Sequence, residues 1–168
     1  TENTTFKWIR TKIEGIAQPE KQGTEKIMES LTNSTIHPIS VSYTYIATAN
    51  NCKGPEQNIT VTVNPLSQLS SSLNSPAICS GNTFTYIPSG TVTGSSFNWR
   101  KAAINETTQT GQSGFGNINE VLTNTTPSPK TVTYIYVATA NGCKGKEQYV
   151  PVTVNPLPEL ISSLTPPA

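Results

Sequence analysis

The sequence has no aspartate and only one histidine, and all ten of its acidic residues are glutamate. Calcium loops of extracellular modules rely on aspartate, so calcium sites are not expected. The same absence excludes a Ser-His-Asp triad. His37 lies in a Thr/Ser/Pro loop, and its counterpart in the repeat described below is Ser128. We therefore interpret His37 as a surface residue and predict no catalytic residues, no metal, no cofactor and no enzymatic activity.

Charge and long apolar runs are also scarce. The net charge of +1 offers no electrostatic basis for binding nucleic acid or an anionic membrane. No apolar run approaches the length that spans a membrane, and no signal peptide opens the chain. We predict no nucleic-acid partner and no direct insertion into a membrane.

A long segment of the chain occurs twice. Residues 40–65 read SVSYTYIATANNCKGPEQNITVTVNP, and residues 131–156 read TVTYIYVATANGCKGKEQYVPVTVNP, at an offset of 91 positions. The register holds outside this segment without a gap, since Trp8 corresponds to Trp99. The chain is therefore a tandem repeat. We predict three parts: an incomplete copy at 1–65, a complete copy at 66–157 and the start of a third at 158–168. Because Thr1 falls in mid-repeat, we expect the ends not to be those of the gene product.

The repeated segment has the pattern of a β-hairpin. β-Branched and aromatic residues alternate with a period of two along 131–138 and again along 150–154, which predicts two strands. Ala140-Asn141-Gly142 supplies a turn that tolerates positive φ. In the first copy Asn51 replaces the glycine, and asparagine tolerates the same conformation.

The complete copy shows about six or seven short strands separated by turn residues, which predicts an all-β, antiparallel immunoglobulin-like sandwich in a tandem array. Its short elements include a strand at 118–122. For the counterpart at 27–31 a short strand is favoured over a helical turn, because the neighbouring elements are strands. The first copy lacks the counterparts of 79–87, which predicts a bare sheet edge beside Trp8. The predicted core of the complete copy comprises Phe84, Tyr86, Phe97, Trp99, Tyr134, Tyr136, Val152 and Val154.

Several charged and aromatic groups could form binding sites, but simpler structural roles are favoured. We interpret Lys53-Gly54 and Lys144-Gly145 as solvated turns rather than basic binding tips. Arg100-Lys101, with Arg10 and Lys12, is expected to be sparse surface charge rather than a binding stripe. The repeated tyrosines favour core packing over a platform for carbohydrate stacking; they are Tyr43, Tyr45, Tyr134 and Tyr136. Asn-x-Ser/Thr triplets, which include Asn33 and Asn124, are expected to arise by chance.

The order of motifs resembles a known family. Pro76-Ala77-Ile78-Cys79-Ser80-Gly81 is followed by Phe97-x-Trp99, then by Asn119-Glu120-x-Leu122-x-Asn124-Thr125-Thr126 and by Thr131-Val132-Thr133-Tyr134-x-Tyr136. Ala140-Asn141-Gly142-Cys143 and Val152-Thr153-Val154-Asn155-Pro156-x-Pro158 complete the order. This resembles the PKD-like domain repeated in giant surface proteins of Bacteroidota. The resemblance implies a sandwich stalk on the cell surface, attached to the outer membrane after type IX secretion, often in gliding adhesins. It implies no enzymatic activity and carries over no binding residues.

Export to the cell surface, which the resemblance implies, permits disulfides. We predict a Cys79–Cys143 disulfide, with Cys52 unpaired because its partner falls outside the fragment. Geometry opposes this pairing, because the two turns lie at opposite ends of a standard sandwich. Pairing with a neighbouring repeat and three free thiols remain open.

Two functions follow as expectations. The first is a structural stalk whose neighbouring repeats contact one another and project an adhesive region from the cell. The alternative is a module that binds glycan, a surface or a partner protein through its loops. Segments 14–26 and 105–117 differ most between the copies and are the candidate binding loops.

Overall fold

The computed structural model describes residues 3–103 and 110–159, and strands are the regular elements within them. No helix occurs in these ranges, so the predicted all-β class is confirmed. The strands in chain order are β1 (Thr5–Arg10), β2 (Lys21–Gly23), β3 (Ile39–Ala49), β4 (Cys52–Lys53), β5 (Gln57–Val63), β6 (Ile78–Cys79), β7 (Thr83–Tyr86), β8 (Ser96–Lys101), β9 (Gln112–Phe115), β10 (Ile118–Val121), β11 (Lys130–Ala140) and β12 (Cys143–Asn155).

The chain forms two compact units. The first extends to Ser67 and also includes Thr91–Ser95 and Thr139–Gly145. The second contains Gln68–Gly90, Ser96–Ala138 and the segment from Lys146. The domains predicted from the sequence place 91–95 and 139–145 in the second copy. In the structure these two short segments belong to the first compact unit. The predicted start of a third copy falls mostly at 160–168, outside the described residues.

The first unit contains one five-stranded sheet. β1 lies between β2 and β3, and the far side of β3 pairs with β5 and, at its end, with the short β4. Its buried cluster consists of Trp8, Ile16, Val41 and Tyr43. One face of this sheet is thus covered in part by the chain between β1 and β3, which contributes Ile16.

The second unit has two sheets. Its five-stranded sheet has the order β6-β12-β11-β8-β9, and its two-stranded sheet pairs β7 with β10. β7 pairs with β10 and β8 with β9 in the antiparallel direction, whereas β6 and β12 are parallel. The larger cluster of buried residues is Leu69, Phe84, Tyr86, Ile118, Leu122, Val132, Tyr134, Tyr136, Val150, Val152 and Val154. Of the residues predicted for the core, Phe97 and Trp99 are half-buried and pack against this cluster.

The hairpin turns follow from asparagine and glycine. Asn50 and Asn51 take φ values of 50° and 61°, and Asn141 and Gly142 take 51° and 75°. Two successive residues with positive φ form the tight connection that matches the twist of a hairpin. The replacement of glycine by Asn51 therefore leaves the turn intact, as the sequence predicts.

Each central tryptophan faces a glycine on the neighbouring edge strand. Trp8 is paired with Gly23, and Trp99 with Gly114. A Cβ at Gly114 would lie 2.6 Å from Trp99 Cζ2, and one at Gly23 would lie 2.8 Å from the indole of Trp8. The indole therefore occupies the space that any larger residue would need. This repeated contact gives short, polar edge strands an apolar anchor.

The structure corrects two expectations about the first copy. The edge beside Trp8 is not bare, because β2 pairs with β1 there. The expected strand at 27–31 is also wrong: residues 27–31 form no strand, although their counterpart contains β10. β10 is paired with β7 along its whole length, and the first unit has no described strand in that role. A strand needs a hydrogen-bonding partner, so the same pattern remains irregular where the partner is missing.

The predicted disulfide is wrong as well. Cys52, Cys79 and Cys143 are free. Cys79 pairs with Asn155 near the end of β12, whereas Cys143 is the first residue of that strand. A strand rises roughly 3.3 Å per residue, so the two ends of β12 are separated by several times the Cα distance that a disulfide spans.

Candidate interaction surface

The inner face of the first sheet carries a row of apolar side chains on β3 and β5. Tyr43 lies directly opposite Ile59, and Val41 directly opposite Val61. Residues that are directly opposite in an antiparallel pair point to the same side of the sheet. Ile59 and Val61 therefore share the face that bears the buried Val41 and Tyr43.

This face is open where the corresponding face of the second unit is closed. Ile59 is 53% exposed and Val61 is 46% exposed, whereas their counterparts Val150 and Val152 are fully buried. Phe6 is also exposed, and Tyr45 is half-buried. We call the side chains of Phe6, Tyr45, Ile59 and Val61 the open face. A contiguous apolar surface of this kind is a feature of interaction sites.

In the second unit, β7 covers the corresponding position. The rings of Phe84 and Tyr134 stack with centroids 5.4 Å apart, and those of Tyr86 and Tyr136 lie 5.3 Å apart. Phe84 and Tyr86 thus cover the buried cluster of the second unit. No described strand of the first unit occupies the position that β7 takes in the second unit.

Beside the open face lies a buried ion pair that sequence reasoning missed. Arg10 is 1% exposed, and its Nε donates to Glu29 Oε1 at 2.5 Å. Its Nη2 also donates to the carbonyl of Pro19, and the Tyr43 hydroxyl donates to the same glutamate oxygen at 2.7 Å. The guanidinium, the carboxylate and the phenol therefore satisfy one another inside the unit.

The pKa values of Glu29 and Tyr43 are both shifted at this ion pair. Burial alone would raise the pKa of Glu29, but hydrogen bonds from Arg10 and Tyr43 and the charges of Arg10 and Lys21 hold it below its usual value of 4.5. Burial, together with the hydrogen bond to Glu29, raises the pKa of Tyr43 to about 12. Glu29 therefore stays ionised to lower pH, and Tyr43 stays neutral to higher pH, than the free side chains.

The second unit repeats the pair with lysine in place of arginine. Lys101 is buried, donates to Glu120 and lies 5.7 Å from the centre of the Tyr134 ring. Burial, followed by the charge of Glu120, raises the pKa of Tyr134. The expectation that Arg10 and Lys101 are surface charge is therefore wrong. It holds for Lys12 and for Arg100, which is exposed and pairs with Glu147.

A buried asparagine is a second repeated arrangement. Asn33 Nδ2 donates to the carbonyls of His37 and Val63, and its Oδ1 accepts from the amide and hydroxyl of Thr35. Asn124 makes the same four bonds, to Ser128, Val154 and Thr126. Each amide joins the turn before the hairpin to the hairpin's last strand. Both asparagine side chains are buried and hydrogen-bonded within the protein, so they are not accessible as glycosylation acceptors.

The structure also locates the tyrosines, the turn lysines and the histidine that the sequence analysis discussed. Tyr134 and Tyr136 are fully buried, Tyr43 is buried, and Tyr45 is half-buried, so they do not form a carbohydrate platform. Lys53, Lys144 and His37 are exposed. Segment 14–26 contains β2 and the buried Ile16, and segment 105–117 contains β9, with 105–109 outside the described residues.

Within 3–103 and 110–159, no three side chains among His, Cys, Asp and Glu converge as metal ligands would. No helix in those ranges is long and apolar enough to span a membrane.

Comparison with known families bears on the second copy. Residues 76–158 match a family model described as the PKD-like domain. This segment is similar to the PKD-like domain. The match covers β6 to β12, so the matched segment coincides with the part of the chain that forms the two sheets of the second unit. A PKD-like domain is consistent with a structural or a binding module of the immunoglobulin-like type. No curated protein sequence matches the chain.

Proposed function

We propose that the chain is part of a structural stalk in a large bacterial adhesin that is attached to the outer surface of the cell. The resemblance to repeats of Bacteroidota surface proteins supports export by type IX secretion and a role in adhesion or gliding. In this proposal each copy adds length, neighbouring repeats contact one another, and a different region of the protein makes the adhesive contact.

The proposal rests on one observation: the arrangements that the two copies share are internal packing arrangements. Their repeated arrangements are the tryptophan over glycine, the buried cation with glutamate, the buried asparagine and the asparagine turn. Each of these stabilises the unit internally. The segments that differ most, 14–26 and 105–117, comprise the edge strands β2 and β9 and the chain before them. Repetition of packing without repetition of a surface site is expected of a spacer.

Surface location is testable on cells that produce the protein. An antibody raised against the chain should label intact cells, and brief protease treatment of those cells should remove the label while a cytoplasmic marker stays intact. Labelling only after lysis would contradict the location.

Arrays of glycans and extracellular proteins test the stalk role separately. The full chain should show no saturable binding at micromolar concentrations. Saturable binding would support the alternative, a module that binds through its loops. One observation favours that alternative: Phe115, in the variable segment 105–117, is 82% exposed. A Phe115→Ala variant should then lose the binding, whereas Thr24→Ala, at the counterpart position, should retain it.

A further inference from the structure

The buried lysine–glutamate pair of the second unit joins its two sheets. Lys101 is the last residue of β8 in the five-stranded sheet, and Glu120 lies in β10 of the two-stranded sheet. Lys101 Nζ donates to Glu120 Oε1, and the two side chains are 1% and 19% exposed. We propose that this amine and this carboxyl condense to an amide, an isopeptide bond that links β8 to β10 covalently.

The surroundings of the pair suit an amide better than two charges. Glu120 Oε2 is buried and has no hydrogen-bond partner among the described residues, and the same is true of the Tyr134 hydroxyl. A buried charged oxygen without a partner costs more free energy than a neutral one. Condensation removes both charges and turns the remaining glutamate oxygen into a neutral carbonyl. The Tyr134 ring, 5.7 Å from Nζ, encloses the amine on one side.

The first unit has a fully hydrogen-bonded ion pair at the corresponding position. Arg10 donates to Glu29 and to the carbonyl of Pro19, and the Tyr43 hydroxyl donates to the same carboxylate. A guanidinium stays protonated in proteins, so it is not a nucleophile. Arginine therefore keeps the first pair ionic, and the lysine of the second unit is the change on which the proposed bond depends.

The reaction needs only the two side chains. The Lys101 ammonium passes one proton along the hydrogen bond to the carboxylate, which leaves an amine beside a neutral carboxyl. Nζ attacks Cδ of Glu120, an N–C bond forms and one C–O bond breaks. That oxygen leaves as water with the carboxyl proton and one amine proton. Effective concentrations of well-oriented groups reach about 10⁵–10⁸ M, and a buried site keeps out the water that would hydrolyse the product.

The bond closes a loop between residues 101 and 120. A cross-link stabilises a domain mainly by restricting its unfolded chain, and this one also ties one sheet of the second unit to the other. The bond is independent of the stalk role, because a module that binds through its loops would carry it as well.

Mass spectrometry of the full chain, purified under reducing conditions, tests the bond directly. The wild type should be lighter than its sequence mass by one water. Trypsin should leave residues 101–130 as one peptide that lacks this water, because a modified Lys101 is not cleaved and the next lysine or arginine is Lys130. A wild type of full mass would overturn the proposal, and so would a water lost from another peptide while 102–130 has its full mass.

Two variants distinguish the bond from other sources of a lost water. Lys101→Arg carries the residue that the first copy has at this position, keeps the ion pair and should have its full sequence mass. Lys146→Arg changes an exposed lysine and should remain lighter by one water, like the wild type. The mass is measurable whether or not a variant folds. If Lys101→Arg also lacks one water, the loss arises elsewhere in the chain, and the proposed bond does not exist.

Discussion

At the scale of single residues, the glycine that faces each tryptophan is a packing requirement. We predict that Gly114→Ala destabilises the second unit by about 1–3 kcal/mol, because its Cβ would overlap Trp99 on a rigid strand. Gly111→Ala is the matched control, since its nearest neighbour would lie at an ordinary contact distance of 3.4 Å. Urea denaturation followed by tryptophan fluorescence measures both. Equal stability of the two variants would show that the tryptophan moves aside without cost.

The buried Arg10–Glu29 pair makes a second prediction at this scale. Glu29→Gln leaves a guanidinium buried without its counter-charge and should cost the first unit about 3–5 kcal/mol at neutral pH. Trp8 reports on this unit in a Trp99→Phe background. Glu56→Gln is the control, because its pair with Lys53 is exposed and should contribute less than about 1 kcal/mol.

The same pair sets a dependence on pH. The pKa of Glu29 is lower in the folded than in the unfolded state, so the unfolded state binds more protons between the two values. Its stabilising contribution is fully present above the usual value of 4.5 and is lost as pH falls through the lowered pKa. Denaturation at a series of pH values should show this acid loss in the wild type. Glu29→Gln should lack that component, and an unchanged acid profile would contradict the assignment.

At the scale of elements, β10 depends on β7. We predict that Phe84→Ala lowers the stability of the second unit by about 3–5 kcal/mol, because a buried ring between Tyr86 and Tyr134 is lost. Amide exchange at Ile118–Val121 should then accelerate toward the fast rate expected of residues 27–30, which form no strand. Thr85→Ala, at an exposed position of the same strand, is the control. If exchange at β10 stays slow in Phe84→Ala, then β10 does not need β7.

At the scale of the whole molecule, the two units differ in the extent of their cores. Four residues form the buried cluster of the first unit and eleven form that of the second. Apolar burial is the main favourable contribution to folding, so we predict that the first unit unfolds at lower denaturant concentration. Exchange measured across a urea series should show β1 and β3 opening before β8 and β11. A single coincident transition would contradict this.

The sequence by itself determined the repeat, the strands of the hairpin and the turn at Asn50 and Asn51, because these depend on alternation and local backbone preference. It also indicated the alternating core side chains of β11. The tertiary structure decided which segments pair as strands and which charged side chains are buried. Residues 27–30 and 118–121 have similar patterns, yet only the latter meet β7 and form a strand. Arg10 and Lys101 look like surface charge until a distant glutamate is brought to them in the interior. Pairing and burial join residues far apart in the chain, so no local pattern records them.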